Sequence, residues 1–243
     1  MNSTNNISAR AAFENAKKMF FNAFRDKFST DADCWYWVNN LKLSQSEVRT
    51  EVQLTTGANA FTFGVTTQQN STGASGMTNT EANSRLNLQD SLCVAEYGIF
   101  VAKPASATST IFNLDTWGNP STYTTANVAT AIDGTFYANG LFRLTCNNDV
   151  LIPGRGLQNH RYVPQTQFRT FTAAATGDQV AAKDQQRGAE DGFITAEPNI
   201  VLVGSKNYVP QIILPAALAA VETVQRAVLI FRGILAQNST VVS

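Results

Sequence analysis

The sequence is poor in the residues on which most enzymes and metal carriers rely. It has one histidine, His160, and three cysteines, Cys34, Cys93 and Cys146, which lie far apart and form no C-x-x-C pair. A Ser-His-Asp triad would have to use His160, and no G-x-S-x-G motif accompanies it. We therefore expect no enzymatic activity, no cofactor and no metal site, and we expect the cysteines to be small buried hydrophobic residues.

Charge is also scarce, and it is balanced. Charged residues make up 15% of the chain, and 18 basic residues offset 18 acidic ones. Proteins dedicated to nucleic acids usually carry a net basic balance or a basic patch, so we expect no specific nucleic-acid binding. Hydrophobic residues make up 44% of the chain, which is enough for a folded core and unlike a disordered protein.

Long apolar runs are absent as well. A membrane-spanning helix needs about 20 predominantly apolar residues, and the sequence has no such run. The first residues lack the basic and apolar regions of a secretory signal. We therefore expect neither a membrane-spanning helix nor a secretory signal. The scattered cysteines are consistent with a protein that assembles in the reducing cytosol.

Residues 1–30 predict an amphipathic helix that forms an N-terminal arm, and residues 31–243 predict a β domain. Four phenylalanines of the arm recur at helical spacing on one face. This stripe has three possible partners: the chain's own β domain, a neighbouring subunit, or a lipid surface. Large aromatic residues just after the arm are typical interface anchors. The candidate interface and anchor residues are Phe13, Phe20, Phe21, Phe24, Lys17, Lys18, Trp35 and Trp37.

After the arm, the hydrophobic period changes from 3.6 to 2, as in half-buried strands. Alternation in 47–54 and again in 61–65 predicts a hairpin. Asn147-Asn148-Asp149 predicts a turn with a return strand at 150–153. Some eight strands without long intervening helices predict a mainly β protein, an antiparallel sandwich or jelly roll. The other predicted strands are 92–102, 136–146, 199–203, 211–214 and 226–236.

Several of these segments also carry a family resemblance. They are 85–90 with the strand that follows to 103, 139–144, 150–153, 162–167, 197–202 and 231–235. Together they resemble the jelly-roll major capsid proteins of tailless icosahedral bacteriophages, especially those with an internal membrane. The resemblance covers about residues 47–235 and consists of packing and turn patterns rather than a chemical signature.

The resemblance implies a virion structural protein that self-assembles into an icosahedral shell in the host cytoplasm. Its expected partners are further copies of itself, as a trimer within the shell, other virion proteins, and the viral inner membrane beneath the N-terminal helix. The barrel is either single or a compact double jelly roll with a boundary near 130–135. The number of predicted strands fits one barrel better.

A second interpretation is a β-sandwich module that binds carbohydrate or a receptor, in the manner of a spike or lectin. In that case Trp117, Tyr123 and Tyr137 would form an aromatic platform for a sugar ring. Ordinary packing of these aromatic residues in the core or an interface is the simpler explanation.

Overall fold

The computed structural model describes residues 3–65, 86–106, 113–119, 122–123, 125–162, 168–170, 179–181 and 192–240. Parts of two segments that carry the resemblance, residue 85 and residues 163–167, lie outside these described residues. Helices in the described part are α1 (Ser3–Phe24), α2 (Asp31–Asn39) and α3 (Ala126–Ala131), with 3-10 turns at Arg25–Lys27 and Leu157–His160 and a π-helical segment at Ile132–Tyr137. The strands are β1 (Lys42–Gln53), β2 (Ala60–Thr62), β3 (Ser91–Ala102), β4 (Leu141–Cys146), β5 (Asp149–Gly156), β6 (Phe168–Thr170), β7 (Gln179–Ala181), β8 (Phe193–Val203), β9 (Tyr208–Ile213) and β10 (Arg226–Gln237).

Eight of these strands form two four-stranded antiparallel sheets, and β6 and β7 pair separately. Sheet I has the order β1-β10-β3-β8, and sheet II has the order β2-β9-β4-β5. The pairing is nested along the chain, because β1 pairs with β10, β2 with β9, β3 with β8, and β4 with β5. The prediction of a mainly antiparallel β protein is therefore confirmed. Strands from both sides of residues 130–135 combine in each sheet.

The main core lies between the two sheets. Tyr97 of β3 contacts Phe142 of β4 and Phe231 of β10, at ring-centroid distances of 5.4 and 6.3 Å. Sheet I is also covered on its outer side, so β3 and β10 are buried on both faces over much of their length. This explains why 226–236 reads as a nearly continuous apolar run rather than an alternating one.

Two local predictions from the sequence are wrong. Residues 47–54 and 61–65 do not form a hairpin, because β1 pairs with β10 in sheet I whereas β2 pairs with β9 in sheet II. The chain crosses between the sheets at Gly57 (φ +85°). The strand predicted for 136–146 begins only at Leu141, since Ile132–Tyr137 is π-helical.

The turn at Asn147-Asn148 is confirmed and joins β4 to β5. Both asparagines have positive φ, 49° and 85°, and Cys146 pairs with Asp149 across the turn. Two-residue hairpins of this kind need left-handed backbone at both central positions, and asparagine tolerates it better than most residues. The Asn147 side chain also accepts a hydrogen bond from the Asn207 amide at 3.2 Å.

Candidate assembly surfaces

A layer formed by α1 and α2, called the helical layer below, covers the outer face of sheet I. Phe20 and Phe24 of α1 are almost fully buried together with Cys34 and Val38 of α2. The sheet contributes Cys93, Val203, Ile234 and Ala236 to this second core. The aromatic stripe of α1 therefore packs on the chain's own β domain, which is one of the three partners that the sequence left open.

The turn between α1 and α2 is fixed by polar contacts. Arg25 forms an ion pair with Asp31 and donates a 2.9 Å hydrogen bond to the Phe28 carbonyl. Thr30 caps α2, since its side chain accepts from the Asp33 amide at 3.2 Å. These contacts set the angle at which α2 returns over the sheet, and they place the aromatic run 35–37 beside α1.

The phenylalanine and tryptophan candidates divide into buried and outward-facing groups. Trp37 is half-buried and contacts Phe24, with ring centroids 5.0 Å apart. Phe13 and Phe21 are also half-buried at the edge of the layer. Trp35 is 37% exposed and stacks on Phe21 at 4.5 Å. Of the phenylalanine and tryptophan candidates, Trp35 is thus open to a partner, and Phe13, Phe21 and Trp37 are open only in part.

The two lysine candidates also differ. Lys17 is half-buried and lies 3.5 Å from the Glu14 carboxylate, whereas Lys18 is exposed. Tyr36 lies among the large aromatic residues that the sequence places just after the arm, but it is not one of the candidates, although its side chain is 76% exposed beside Trp35. Its position was predictable, because once Cys34 and Val38 face the sheet at helical spacing, residue 36 must point away from it.

A cleft of about 750 Å³ lies between α1 and sheet I. Its floor is made of small residues, including Ala16, Ala95 and Gly233. Arg232 also lines the cleft, with its guanidinium 3.4 Å from the Glu47 carboxylate and 3.7 Å from that of Glu96. Its charge is therefore already balanced within the chain.

Sheet II has apolar side chains on its outer face. Leu141, Val150 and Leu151 are 43%, 47% and 39% exposed. Leu151 faces outward because β5 bulges between Val150 and Ile152, so that it has no register partner on β4. This open face consists of Leu141, Arg143, Thr145, Val150, Leu151, Val209, Gln211 and Ile213, and Arg143 is the one charged member of the set.

Only part of the open face can be predicted from the sequence. Alternation in 142–146 places Phe142 and Leu144 inside, where the structure has them fully buried. The same alternation turns Leu141 outward. The bulge that exposes Leu151 leaves no signal in a single sequence.

His160 and the cysteines are all buried. Burial lowers the pKa of His160 to about 4, and the nearby Arg155 charge acts in the same direction, while a hydrogen bond with the Gly192 carbonyl opposes them. The three cysteines are free thiols, and burial raises the pKa of Cys93 to about 11. Among the described residues, no group of three or more His, Cys, Asp and Glu side chains is placed to hold a metal ion.

The predicted sugar platform is not assembled. Tyr123 and Tyr137 are buried, and the Tyr137 hydroxyl lies 3.2 and 3.1 Å from the carbonyls of Ile99 and Asp115. Only Trp117 borders open space, a cleft of about 790 Å³ that is also lined by Asp133, Gln158 and Arg161. The three aromatic residues therefore present no common surface.

Comparison of the chain with known protein families, with curated proteins and with solved structures gives no match in any of the three. None of the helices in the described part of the chain is both long enough and apolar enough to cross a membrane.

Proposed function

We propose that the sandwich is a single jelly roll. A jelly roll is a long antiparallel hairpin wrapped into two sheets, so its first strand pairs with its last, its second with the next to last, and so on inward. The four nested pairs of sheets I and II have this pattern. Two further antiparallel pairings, of β10 with β3 and of β9 with β4, form when this long hairpin is wrapped into two sheets.

We propose further that the protein is a virion structural protein, the major capsid protein of an icosahedral shell. Jelly rolls serve in viral capsids and lectins among other proteins, so the fold alone does not select the function. The observation that carries the proposal is the outer face of sheet II, which exposes Leu141, Val150 and Leu151 around a single charge. Leu141 lies beside Ile213 at one end of this face, and Val150 lies beside Thr145 at the other. Exposed apolar side chains on one face of a sheet are typical of interaction sites.

The occupant that we assign to the open face is another copy of the chain. A nucleic acid or an anionic membrane would require several cationic side chains, and the set contributes only Arg143. A shell that is built from identical subunits needs such weakly charged surfaces, because repeated like charges would repel one another.

The helical layer has a second role in this proposal. Its phenylalanine stripe anchors the arm to sheet I, and its outward residues Lys18, Trp35 and Tyr36 remain for a contact beneath the shell. That contact is with a neighbouring subunit, another virion protein or the inner membrane. Exposed tryptophan and tyrosine beside lysine suit each of these partners.

The decisive experiment compares assembly of the purified chain with that of a Leu151→Asp variant. By electron microscopy and sedimentation, the unmodified protein should form shells or trimers, and L151D should remain monomeric with an unchanged urea midpoint. Ala217→Asp, which places the same charge at an exposed position in the loop after β9, is the matched control and should assemble. A wild-type chain that stays monomeric at its highest soluble concentration would refute the proposal.

Carbohydrate or receptor binding is the second candidate function. The cleft beside Trp117 supports it, because one aromatic side chain together with Asp133, Gln158 and Arg161 offers a stacking surface and hydrogen-bonding groups. Glycan-array binding that is lost in Trp117→Ala, by a protein that does not assemble, would favour this function over the shell.

A further inference from the structure

His160 occupies a polar position inside the sandwich. It ends the 3-10 turn Leu157–His160 and is fully buried. Its ring centroid lies 5.2 Å from that of Tyr97, and Nδ1 lies 3.2 Å from the Gly192 carbonyl oxygen. Because a carbonyl can only accept, Nδ1 carries the proton and Nε2 presents a lone pair. Among the described residues, Nε2 has no hydrogen-bond partner.

The residues around His160, 157–162, form what we call the latch segment, which ties four parts of the fold together. The Leu157 amide donates to the Gly140 carbonyl at 2.8 Å, and His160 holds the start of β8 through Gly192. Two further bonds are those of Arg161 to the Asp133 carboxylate at 3.0 Å, and of the Thr116 hydroxyl to the Tyr162 carbonyl at 2.6 Å. Of these ties, the one through His160 includes an imidazole, a group whose unperturbed pKa of about 6.5 lies near neutral pH.

The charges around the imidazole all disfavour its cationic form or are engaged elsewhere. Arg155, on β5, acts on His160 as a like charge. Tyr97, on β3, offers a neutral ring and hydroxyl, and Gly192 at the start of β8 offers only its carbonyl. Asp133, on the π-helical segment, already accepts from Arg161 and from the Gly118 amide. Thr116 provides no charge. A proton on Nε2 would therefore sit in the interior beside a guanidinium, and no described residue accepts a hydrogen bond from this atom.

We propose that His160 is an acid-sensitive latch: protonation of Nε2 releases the latch segment from Gly192 and the start of β8, while sheets I and II remain paired. The opened segment places the imidazolium in water, where it is stable. Of the other bonds of the segment, the one between Arg161 and Asp133 lies near the surface, since Arg161 is exposed and Asp133 only half-buried, whereas Leu157 and Thr116 are buried.

The expected size of the effect follows from linkage. Burial holds the pKa of His160 at about 4 in the closed state, and an exposed imidazole has a pKa of about 6.5. The opening constant should rise about tenfold for each pH unit below 6.5 and level off near pH 4, for a total of about 300-fold. The latch is thus closed at neutral pH and weakens on acidification.

Hydrogen exchange of the full chain tests the proposal, with rates corrected for the intrinsic effect of pH. Between pH 7 and 4.5, the protection of the Leu157 amide and of residues 193–195 should fall by about the same factor as the opening constant rises, while β3 and β10 stay protected. In His160→Asn the amide keeps a donor for the Gly192 carbonyl but cannot titrate, so the acid-dependent loss should vanish.

The NMR titration of the wild-type imidazole provides a second measurement that needs no variant. His160 is the only histidine of the chain, so its signal is unambiguous, and it should titrate below pH 5. A native-state titration near pH 6.5 would overturn the proposal. So would an unchanged acid response in H160N, or a simultaneous loss of protection in every strand. If H160N does not fold, the wild-type titration and exchange pattern decide the question.

Discussion

Arg226 on β10 donates a 2.7 Å hydrogen bond to Glu51 on the neighbouring strand β1, and both side chains are only 8% exposed. Arg49 binds the other oxygen of the same carboxylate at 2.7 Å. This network sits at the end of sheet I where β10 begins. It joins the first and last strands of the nested pairing through side chains as well as through the backbone.

Removal of one member of this network should lower the free energy of unfolding. Replacement of Glu51 by Gln leaves two guanidinium groups without their carboxylate, and breaking a buried pair in this way costs about 3 to 5 kcal/mol. Urea denaturation should show this loss for E51Q. A double Glu51→Leu, Arg226→Met variant should recover much of it, because the buried charge at position 226 is then removed together with that of Glu51. Equal losses in the single and double variants would contradict this account.

The helical layer should be stabilised by the buried phenylalanine stripe of α1 and not by the aromatic residues that face outward. Phe24→Ala removes a fully buried ring from between α1 and sheet I and should cost about 3 to 5 kcal/mol. Tyr36→Ala, at an exposed position of the same layer, should lie within about 0.5 kcal/mol of wild type. Chemical denaturation monitored by tryptophan fluorescence measures both. A larger effect at Tyr36 than at Phe24 would mean that α1 is not seated as described.

Stability should depend on pH through His160 with a defined sign. Its folded-state pKa is lowered to about 4 by burial, so the unfolded chain binds its proton first. The resulting loss of stability begins as pH falls through 6.5 and is complete near pH 4, and it amounts to about 3 kcal/mol. Denaturation curves for wild type and His160→Asn should therefore diverge only below about pH 6.5. Parallel curves down to pH 4 would show that the imidazole is exposed.

The cysteines should be unreactive in the folded protein. All three are buried, and burial raises the pKa of Cys93 to about 11, which keeps its thiolate scarce at pH 8. Ellman's reagent should modify none of them until the protein unfolds, and then all three. Rapid reaction of a single thiol under native conditions would mark the helical layer as loosely attached, because Cys34 and Cys93 lie under it.

The turn between β4 and β5 offers a stabilising substitution. Asn148 has φ +85°, a conformation that glycine adopts without steric cost. Asn148→Gly should raise the free energy of unfolding by a few tenths of a kcal/mol, and Asn148→Val should lower it. Thermal unfolding of the two variants measures the sign, which would be reversed if the turn had negative φ at this position.

The strands and the turn could be read from the sequence because they depend on local pattern. Asn147-Asn148 marked its hairpin, and the apolar run at 226–236 marked a doubly buried strand. Which strands pair with one another was harder to predict from the sequence. The alternation in 61–65 reveals that β2 has one buried face, but not whether that face belongs to the sheet of β1 or to the opposite one. That choice is made by the pairing with β9, some 150 residues later in the chain.

The surfaces were harder to predict, again for a physical reason. Helical periodicity identified the stripe of α1, but an apolar face has the same pattern whether its partner is its own sheet or another molecule. The first part of the strand predicted for 136–146 is wrong because tertiary contacts outweigh alternation there: the Tyr137 hydroxyl reaches the carbonyls of Ile99 and Asp115. Gly140 also lies so close to the Phe136 carbonyl that no larger residue would fit.

The position of β10 between β1 and β3 also bears on when the protein can fold during synthesis. Lys42 pairs with Gln237, and β10 is the last of the described strands to leave the ribosome. Until it emerges, β1 and β3 have no neighbour in common, and the apolar face that will receive the helical layer is split in two. Sheet I is therefore completed only when β10 emerges, and pairing between strands so distant in sequence makes slow folding the expected behaviour.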